Sequence, residues 1–210
     1  MADDAASATA GAGTMVDLAF DVDGRTLARE HRRALAAALL RALPWLAETP
    51  GCAVHRLKLP PGEDSEVLLS RRTRLTLRVP RAQAAAAARL DGSTLDVDGR
   101  ALVLRRPRQH ELLPFGTLYA HLVAFAADDE LAFLREVEAT LRTLGIAARA
   151  ICGRRQVVEH GTLAGYSLML DRLAPGDALR LQELGLGAHH ELGCGVFVPH
   201  KSAAAVGTPP

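Results

Sequence analysis

Aromatic side chains are scarce in this 210-residue chain: one Trp, two Tyr and five Phe, 4% of the total. They do not cluster, which argues against an open sheet that stacks nucleic-acid bases on aromatic rings. Lysine is scarcer still, present only as Lys58 and Lys201, so nearly all positive charge is arginine. Arginine and alanine richness accompanies a GC-rich genome, yet planar guanidinium groups also match phosphates bidentately, and composition does not separate the two readings. The formal net charge of +1 carries no sign of a strongly basic stripe. Three cysteines, Cys52, Cys152 and Cys194, form no CxxC pair. Neither a disulfide framework nor a zinc site is expected, and all three read as small reduced residues in or near a core.

No apolar run reaches the roughly 18 residues of a membrane-spanning helix. The start, Met-Ala-Asp-Asp followed by Ala, Gly, Ser and Thr, lacks the basic start and apolar centre of a signal peptide. No membrane contact and a cytoplasmic location are therefore expected. What is present is ordinary globular composition, 49% hydrophobic and 23% charged, which excludes wholesale disorder and fibrous classes. The length allows one domain or two small ones.

Residues 1–14 have low complexity and read as a disordered tail. Met15–Val22 alternates as a strand and Asp23-Gly24 turns it. Arg29–Leu46 reads as a helix with Leu35, Leu39, Leu43 and Leu46 on one stripe, which Pro44 should end or kink. Cys52–Leu59 and Thr73–Val79 read as strands, Arg81–Leu90 as an Ala-rich helix, and Thr94–Leu104 as a hairpin around Asp98-Gly99.

The second half repeats this order. Thr117–Ala126 is strand-like, and Asp128-Asp129 can cap a helix that runs through Leu134, Val137, Leu141 and Leu144 to Gly145. Ala147–Val158 and Thr162–Leu170 read as strands and Pro175–Leu184 as a helix. A Gly-rich segment and a last strand at Gly195–Val198 follow. The fold class expected is α+β, two tandem ferredoxin-like (RRM-like) βαββαβ units with a C-terminal Gly-rich loop. The units should span 15–110 and 111–203, joined near Pro107–Gly116, with a short tail at 204–210.

The Gly-rich segment is the most unusual stretch. Gly185, Gly187, Gly193 and Gly195 fall within eleven residues, a pattern that lets backbone approach another molecule and offers N–H groups to phosphate. It lacks the Gly-Lys-Ser/Thr ending of a P-loop, so nucleotide hydrolysis is not expected. Taken alone, it also reads as a bulged hairpin.

With its context the segment resembles a known family. Leu181-Gln182-Glu183-Leu184-Gly185-Leu186-Gly187, then Leu192-Gly193-Cys194-Gly195-Val196-Phe197-Val198-Pro199, carry the likeness. Gly24-Arg25-Thr26-Leu27 ahead of His31, Ala53-Val54-His55 and Leu118-Tyr119 support it. The chain resembles the CRISPR-associated repeat-processing endoribonucleases of the RAMP superfamily, myxococcal-type subgroup, over roughly residues 15–202.

The resemblance implies cleavage within CRISPR repeat RNA with no metal or other cofactor. The 2′-hydroxyl beside the scissile phosphate attacks, leaving a 2′,3′-cyclic (or 3′) phosphate and a 5′-hydroxyl. The protein supplies a base, an acid and cations. It also implies that the enzyme stays on the cut stem-loop and works with other Cas proteins of a type I effector complex. Of the eight histidines, His31 at the opening of the first helix is the first choice for catalysis and His55 the second. The tyrosine that several relatives carry after the first histidine is absent from positions 32–43, so Arg32 or Arg33 takes over phosphate stabilisation, with Tyr119 and Lys201 as helpers. Arg154 and Arg155, read as lying between two strands, are the expected RNA-stem contacts, together with Gly185, Gly187, Gly193, Gly195 and Lys201. His189, His190 and His200 flank the loop; His110, His121 and His160 have no motif behind them. The clusters Arg71-Arg72-Arg74 and Arg105-Arg106-Arg108 read as solvated strand ends. Two other classes fit the same pattern: a catalytically silent RNA-binding subunit, and a tandem ferredoxin-like module that binds a small regulatory ligand.

Overall fold

Alternation along the first strand sets the first layer. In β1 (Met15–Asp23), Val16, Leu18, Phe20 and Val22 are buried while Asp17, Ala19 and Asp21 turn to the other face. A computed structural model describes residues 14–127 and 129–200. The expected tails apart from Thr14, the Asp128 half of the helix cap, and Lys201 lie outside these residues; Thr14 itself is tied down, its N–H donating to Glu183 at 2.6 Å. β1 is central in an antiparallel sheet ordered β3–β5–β1–β7–β6, formed with β3 (Ala53–Val54), β5 (Arg74–Pro80), β6 (Thr94–Val97) and β7 (Arg100–Glu111). Helices α1 (Arg32–Ala42) and α2 (Ala84–Ala88) cover the apolar face, with Leu35, Leu39 and Ala87 in the shared core. A small ribbon of β2 (Thr26–Ala28) and β4 (Glu66–Leu68), absent from the sequence reading, lies beside them.

Several boundaries differ from expectation. The helix read over Arg29–Leu46 is shorter, because Pro44 has no N–H to continue it and opens a single 3-10 turn, Pro44–Leu46. The strand read over Cys52–Leu59 is only Ala53–Val54, plus one further bond from His55 N–H to Thr76 O at 2.9 Å. Beyond it the Gly-rich segment is pressed against this chain: a Cβ at Gly193 would stand 3.1 Å from Val54 O and 3.3 Å from Arg56 N.

The second half comprises β8 (Thr117–Val123), α3 (Glu130–Leu144), β9 (Arg149–Val158), β10 (Leu163–Asp171), α4 (Pro175–Leu184) and β11 (Val198–Pro199), with sheet order β11–β8–β10–β9. Asp129 caps α3 by accepting a hydrogen bond from Ala132 N–H at 2.8 Å, and Gly145 closes it at φ 66°. Phe133, Val137, Leu141, Leu168, Leu170 and Phe197 fill the core. β7 runs on to Glu111, so the connection between halves occupies residues 112–116 rather than starting at Pro107. The whole is a mixed α+β fold of antiparallel sheets. Ala36 of α1 meets Leu122, Ala124, Leu163, Leu192 and Cys194 in a separate apolar cluster, which locks the halves together.

Candidate nucleic-acid interface and active site

Where the two sheets face each other they leave a cleft of about 630 Å³. From the first half come His55, Arg56, Lys58, Arg72, Arg74 and Thr76; from the second, Tyr119, His121, Gly193, Val198, Pro199 and His200. Four permanent cations and three imidazoles line it, and no carboxylate does. Such a lining attracts a polyanion.

His55 is fixed from behind. Its Nε2 lies 3.1 Å from Asp17 Oδ1, and Asp17 is held by Arg78 through Nε–H at 2.8 Å and an Nη2–H at 2.9 Å. A carboxylate only accepts, so Nε2 carries the proton and Nδ1 keeps a lone pair. Burial pushes the Asp17 carboxyl up, but hydrogen bonds and charge from His55 and Arg78 outweigh it and hold the group well below the usual carboxylate range. Burial lowers His55 from its ordinary value, against the upward pull of Asp17.

Arg78 is 1% exposed. Its Nη1 donates to Gln182 O at 2.7 Å and Phe197 O at 3.1 Å, both in the second half. One guanidinium thereby steadies a carboxylate of one half and satisfies two carbonyls of the other. Strand alternation put Arg78 on the outward face; the second half is what buries it.

His121 lies on β8, opposite in parity to the buried Leu118, Ala120 and Leu122, and so faces the cleft. Burial pushes its pKa down to about 4, helped by Arg56 and Arg32. The Gln156 amide reaches across β10 to donate to His121 O at 2.6 Å and stands 3.4 Å from Nδ1. It passes over Gly165, where a Cβ would meet Val123 O at 2.1 Å. Tyr119 and His200 pack ring to ring at 5.4 Å.

His31 is elsewhere. It occupies the N-cap position of α1 and is 6% exposed, with Nδ1 3.0 Å from Ala28 O and 2.9 Å from Arg29 O. Burial lowers its pKa despite those two bonds. Around it the turn between β9 and β10 docks on the helix start: Glu159 accepts from Arg32 N–H at 3.0 Å, and Arg33 reaches Thr162 Oγ1 at 3.4 Å. The Arg32 side chain turns the other way and donates to Leu192 O at 2.6 Å, beside Gly193.

Two expectations require correction. Arg154 and Arg155 do not lie between strands; they are exposed residues within β9, the edge of its sheet. The turn falls later, at Glu159–Gly161, where three successive positive φ angles of 54°, 54° and 87° reverse the chain. The glycines do not offer a row of N–H groups to a ligand either. Gly185 N–H is bonded to Leu181 O, Gly193 N–H to His190 O and Gly195 N–H to Leu122 O. These glycines serve close packing: a Cβ at Gly195 would meet Leu186 O at 2.0 Å, and at Gly187 Ala124 O at 2.6 Å. Of the four, Gly193 alone lines the cleft. His189 and His190 border a different cavity of about 420 Å³ with Thr49, Gly51 and Cys52. Among the described residues, no group of three or more His, Cys, Asp or Glu is placed to hold a metal ion.

Sequence reasoning missed Asp17, Arg56, Arg78 and His121. Each sits at an outward strand position or just past a strand; Asp17 and Arg78 meet as cross-strand partners in the first sheet, and the packing of one half on the other adds His121 beside Arg56.

Two antiparallel sheets that enclose an arginine-lined cleft, closed by a Gly-rich segment, define an α+β protein with a cationic seam between its halves. Solved structures share this fold. One, described as CRISPR associated protein Cas6, superposes with a TM-score of 0.62 at 9% identity and covers 89% of this chain and 100% of its own. Another, a Cas6-related gene product from Pyrococcus furiosus, gives 0.57 at 11% identity, over 88% and 98%. At these identities the likeness is one of fold. In sequence, the CRISPR-associated endonuclease Cas6 of Myxococcus xanthus (strain DK1622) is 36% identical over 194 residues, 91% of this chain and 84% of that protein. Residues 16–202 match the family described as Cas6 Crispr. The chain belongs to the Cas6 family.

Proposed function

We propose that this chain is an endoribonuclease that cuts within the repeats of CRISPR transcripts, and that the cut takes place in the cleft between the halves. The observation that carries the site is its lining: Arg56, Lys58, Arg72 and Arg74 beside His55 and His121, with no carboxylate. In this reading His55 Nδ1 takes the proton of the 2′-hydroxyl, while Asp17 keeps the proton on Nε2. The 2′-oxygen attacks the adjacent phosphorus, and the arginines offset the charge that builds on the phosphate oxygens. His121 is a neutral imidazole in the empty cleft; an anionic phosphate beside it raises its pKa, so that it gives a proton to the departing 5′-oxygen. The products are a 2′,3′-cyclic phosphate and a 5′-hydroxyl. Arg154, Arg155, Arg32, Arg33 and Lys201 remain RNA contacts in the proposal.

One observation favours a second placement of the base. At His31, two main-chain carbonyls hold Nδ1–H, which leaves the lone pair on Nε2. The same chemistry then runs beside Arg32.

The architecture belongs to the same proposal. With the edge strand β6 and the β2–β4 ribbon set aside as additions, and the rest numbered within each half, the first sheet runs second–third–first–fourth (β3–β5–β1–β7) and the second runs fourth–first–third–second. That is one order read from opposite edges, which supports two ferredoxin-like units at 15–110 and 111–203. A transcript as substrate supports a cytoplasmic location and assembly with other Cas proteins of a type I complex.

The test is incubation of the pure chain with cognate repeat RNA in EDTA. Cleavage with 5′-hydroxyl ends is expected, and a 2′-deoxy sugar immediately 5′ of the cut should leave RNA bound but whole. Strict dependence on added Mg²⁺, or cleavage of the deoxy substrate, rules the mechanism out.

A further inference from the structure

Three arginines from two separate sequence clusters converge on one carboxylate, away from the cleft histidines. Asp21 Oδ1 is 2.7 Å from Arg74 Nε and 3.2 Å from Arg108 Nη1, and Oδ2 is 2.7 Å from Arg106 Nε. The carboxylate is 10% exposed, while Arg106 and Arg108 keep 73% and 49% of their side chains in solvent. Arg105 stands nearby, 3.8 Å from Asp23.

The backbone is bent to achieve this. Across β1 and β7, Asp21 pairs with Arg105 but Ala19 pairs with Arg108, so two steps on β1 face three on β7. Arg106 is the extra residue, at φ 52°, a left-handed conformation that an L side chain adopts at a cost of about 1 kcal/mol or more. The Asp91 carboxylate stabilises the bulge by accepting from Arg106 N–H at 2.9 Å. Without the bulge, alternation would send Arg106 to the apolar face with Leu102 and Leu104.

Donor counting shows what the cluster is fit for. Three guanidinium groups carry about fifteen N–H donors, and one carboxylate accepts about four. Arg74 uses two further bonds on Arg71 O and Thr73 O. Arg106 and Arg108 retain outward donors, already ordered by Asp21, in the fork geometry that suits phosphate. Arg74 is also part of the cleft wall, so the cluster continues the cleft across the open face of the first sheet.

We propose that Arg106 and Arg108 on this face hold the phosphates of the single-stranded RNA that leaves the cleft beside the cut stem. The inference rests on the proposed RNA cleavage. With no aromatic ring in the cluster the contact is to backbone, and it tolerates any base sequence.

The test compares two oligoribonucleotides, the cleaved repeat stem with its flanking single strand and the same stem trimmed to the cut site. Each is bound to the full chain across a salt series. Arg106→Ala with Arg108→Ala should weaken the flanked RNA about tenfold and lessen its salt slope by about one to two. The trimmed RNA and the cleavage rate at saturating protein should not change. Equal loss on both RNAs by a folded double variant overturns the inference. So does an unchanged flanked RNA while the wild-type chain still cuts, a result that leaves the patch to an acidic protein surface. A wild-type chain that neither binds nor cuts repeat RNA overturns the cleavage reading instead, and the inference with it.

Discussion

The seam between the halves is closed at one end and open at the other, though both ends are built from histidine, arginine and a carboxylate. At the closed end, His31, Arg32 and Glu159 sit where the start of α1 meets the β9–β10 turn, and main-chain groups satisfy the imidazole Nδ1 and the Glu159 carboxylate. At the open end, Asp17 and Arg78 are tied up behind His55, and the imidazole itself reaches the cleft. The difference lies in what faces each histidine. In the proposed reading, backbone carbonyls and a docked turn make a joint at His31, while a cavity walled by cations is where the RNA completes the charge balance.

The sharpest way to break that contrast is to remove each histidine in turn. His55→Ala and His121→Ala should each lower cleavage at saturating protein by about 10²–10⁴-fold, the usual worth of a positioned base or acid. Affinity for the stem should stay within a few-fold. His31→Ala should cut at close to the wild-type rate; if it folds and binds RNA yet does not cut, the chemistry belongs to the closed end.

Arg78→Met tests the tie behind the open end. It leaves Asp17 without its cationic partner and two carbonyls of the second half without donors, so urea unfolding should show a loss of about 3–5 kcal/mol. A loss below about 1 kcal/mol would mean that Ala36, Leu122 and their apolar neighbours hold the halves together unaided.

A smaller effect is expected on the far side of the second sheet. Arg154→Ala with Arg155→Ala should lower the magnitude of the salt slope for repeat binding by about one to two. As strand neighbours they point to opposite faces of β9, so one of the two single variants should account for most of the change.

The smallest effect is on pH. His121 titrates near pH 4 when folded, below its ordinary value of 6.5. Between those values the unfolded chain binds the extra proton, so stability falls as pH drops from about 6.5 towards 4 and levels off below. His31 and His55 are shifted in the same direction. The urea midpoint should therefore decrease across this window, and His121→Asn should make the decline shallower. An unchanged slope in that variant would show that the other histidines carry the effect.

Strand alternation and helix stripes were local signals, and they located β1, β5, β10, α3 and α4 to within a residue or two, because 2.0- and 3.6-residue periods are written in consecutive side chains. The Gly-rich motif pointed to the family in the same way. It misled about mechanism, since a glycine needed to fit under Ala124 O or Leu186 O looks in sequence like one that offers its N–H to phosphate. His121 and Arg78 were illegible for a different reason. Each occupies the outward parity of its strand, which a sequence reads as solvent-facing. Only the packing of the two halves decides whether such a residue is buried as a tie, as Arg78 is, or left at a cleft, as His121 is. The convergence of Arg74, Arg106 and Arg108 on Asp21 has the same origin: residues far apart in the chain become neighbours through antiparallel register, and register with its bulge is a property of the sheet.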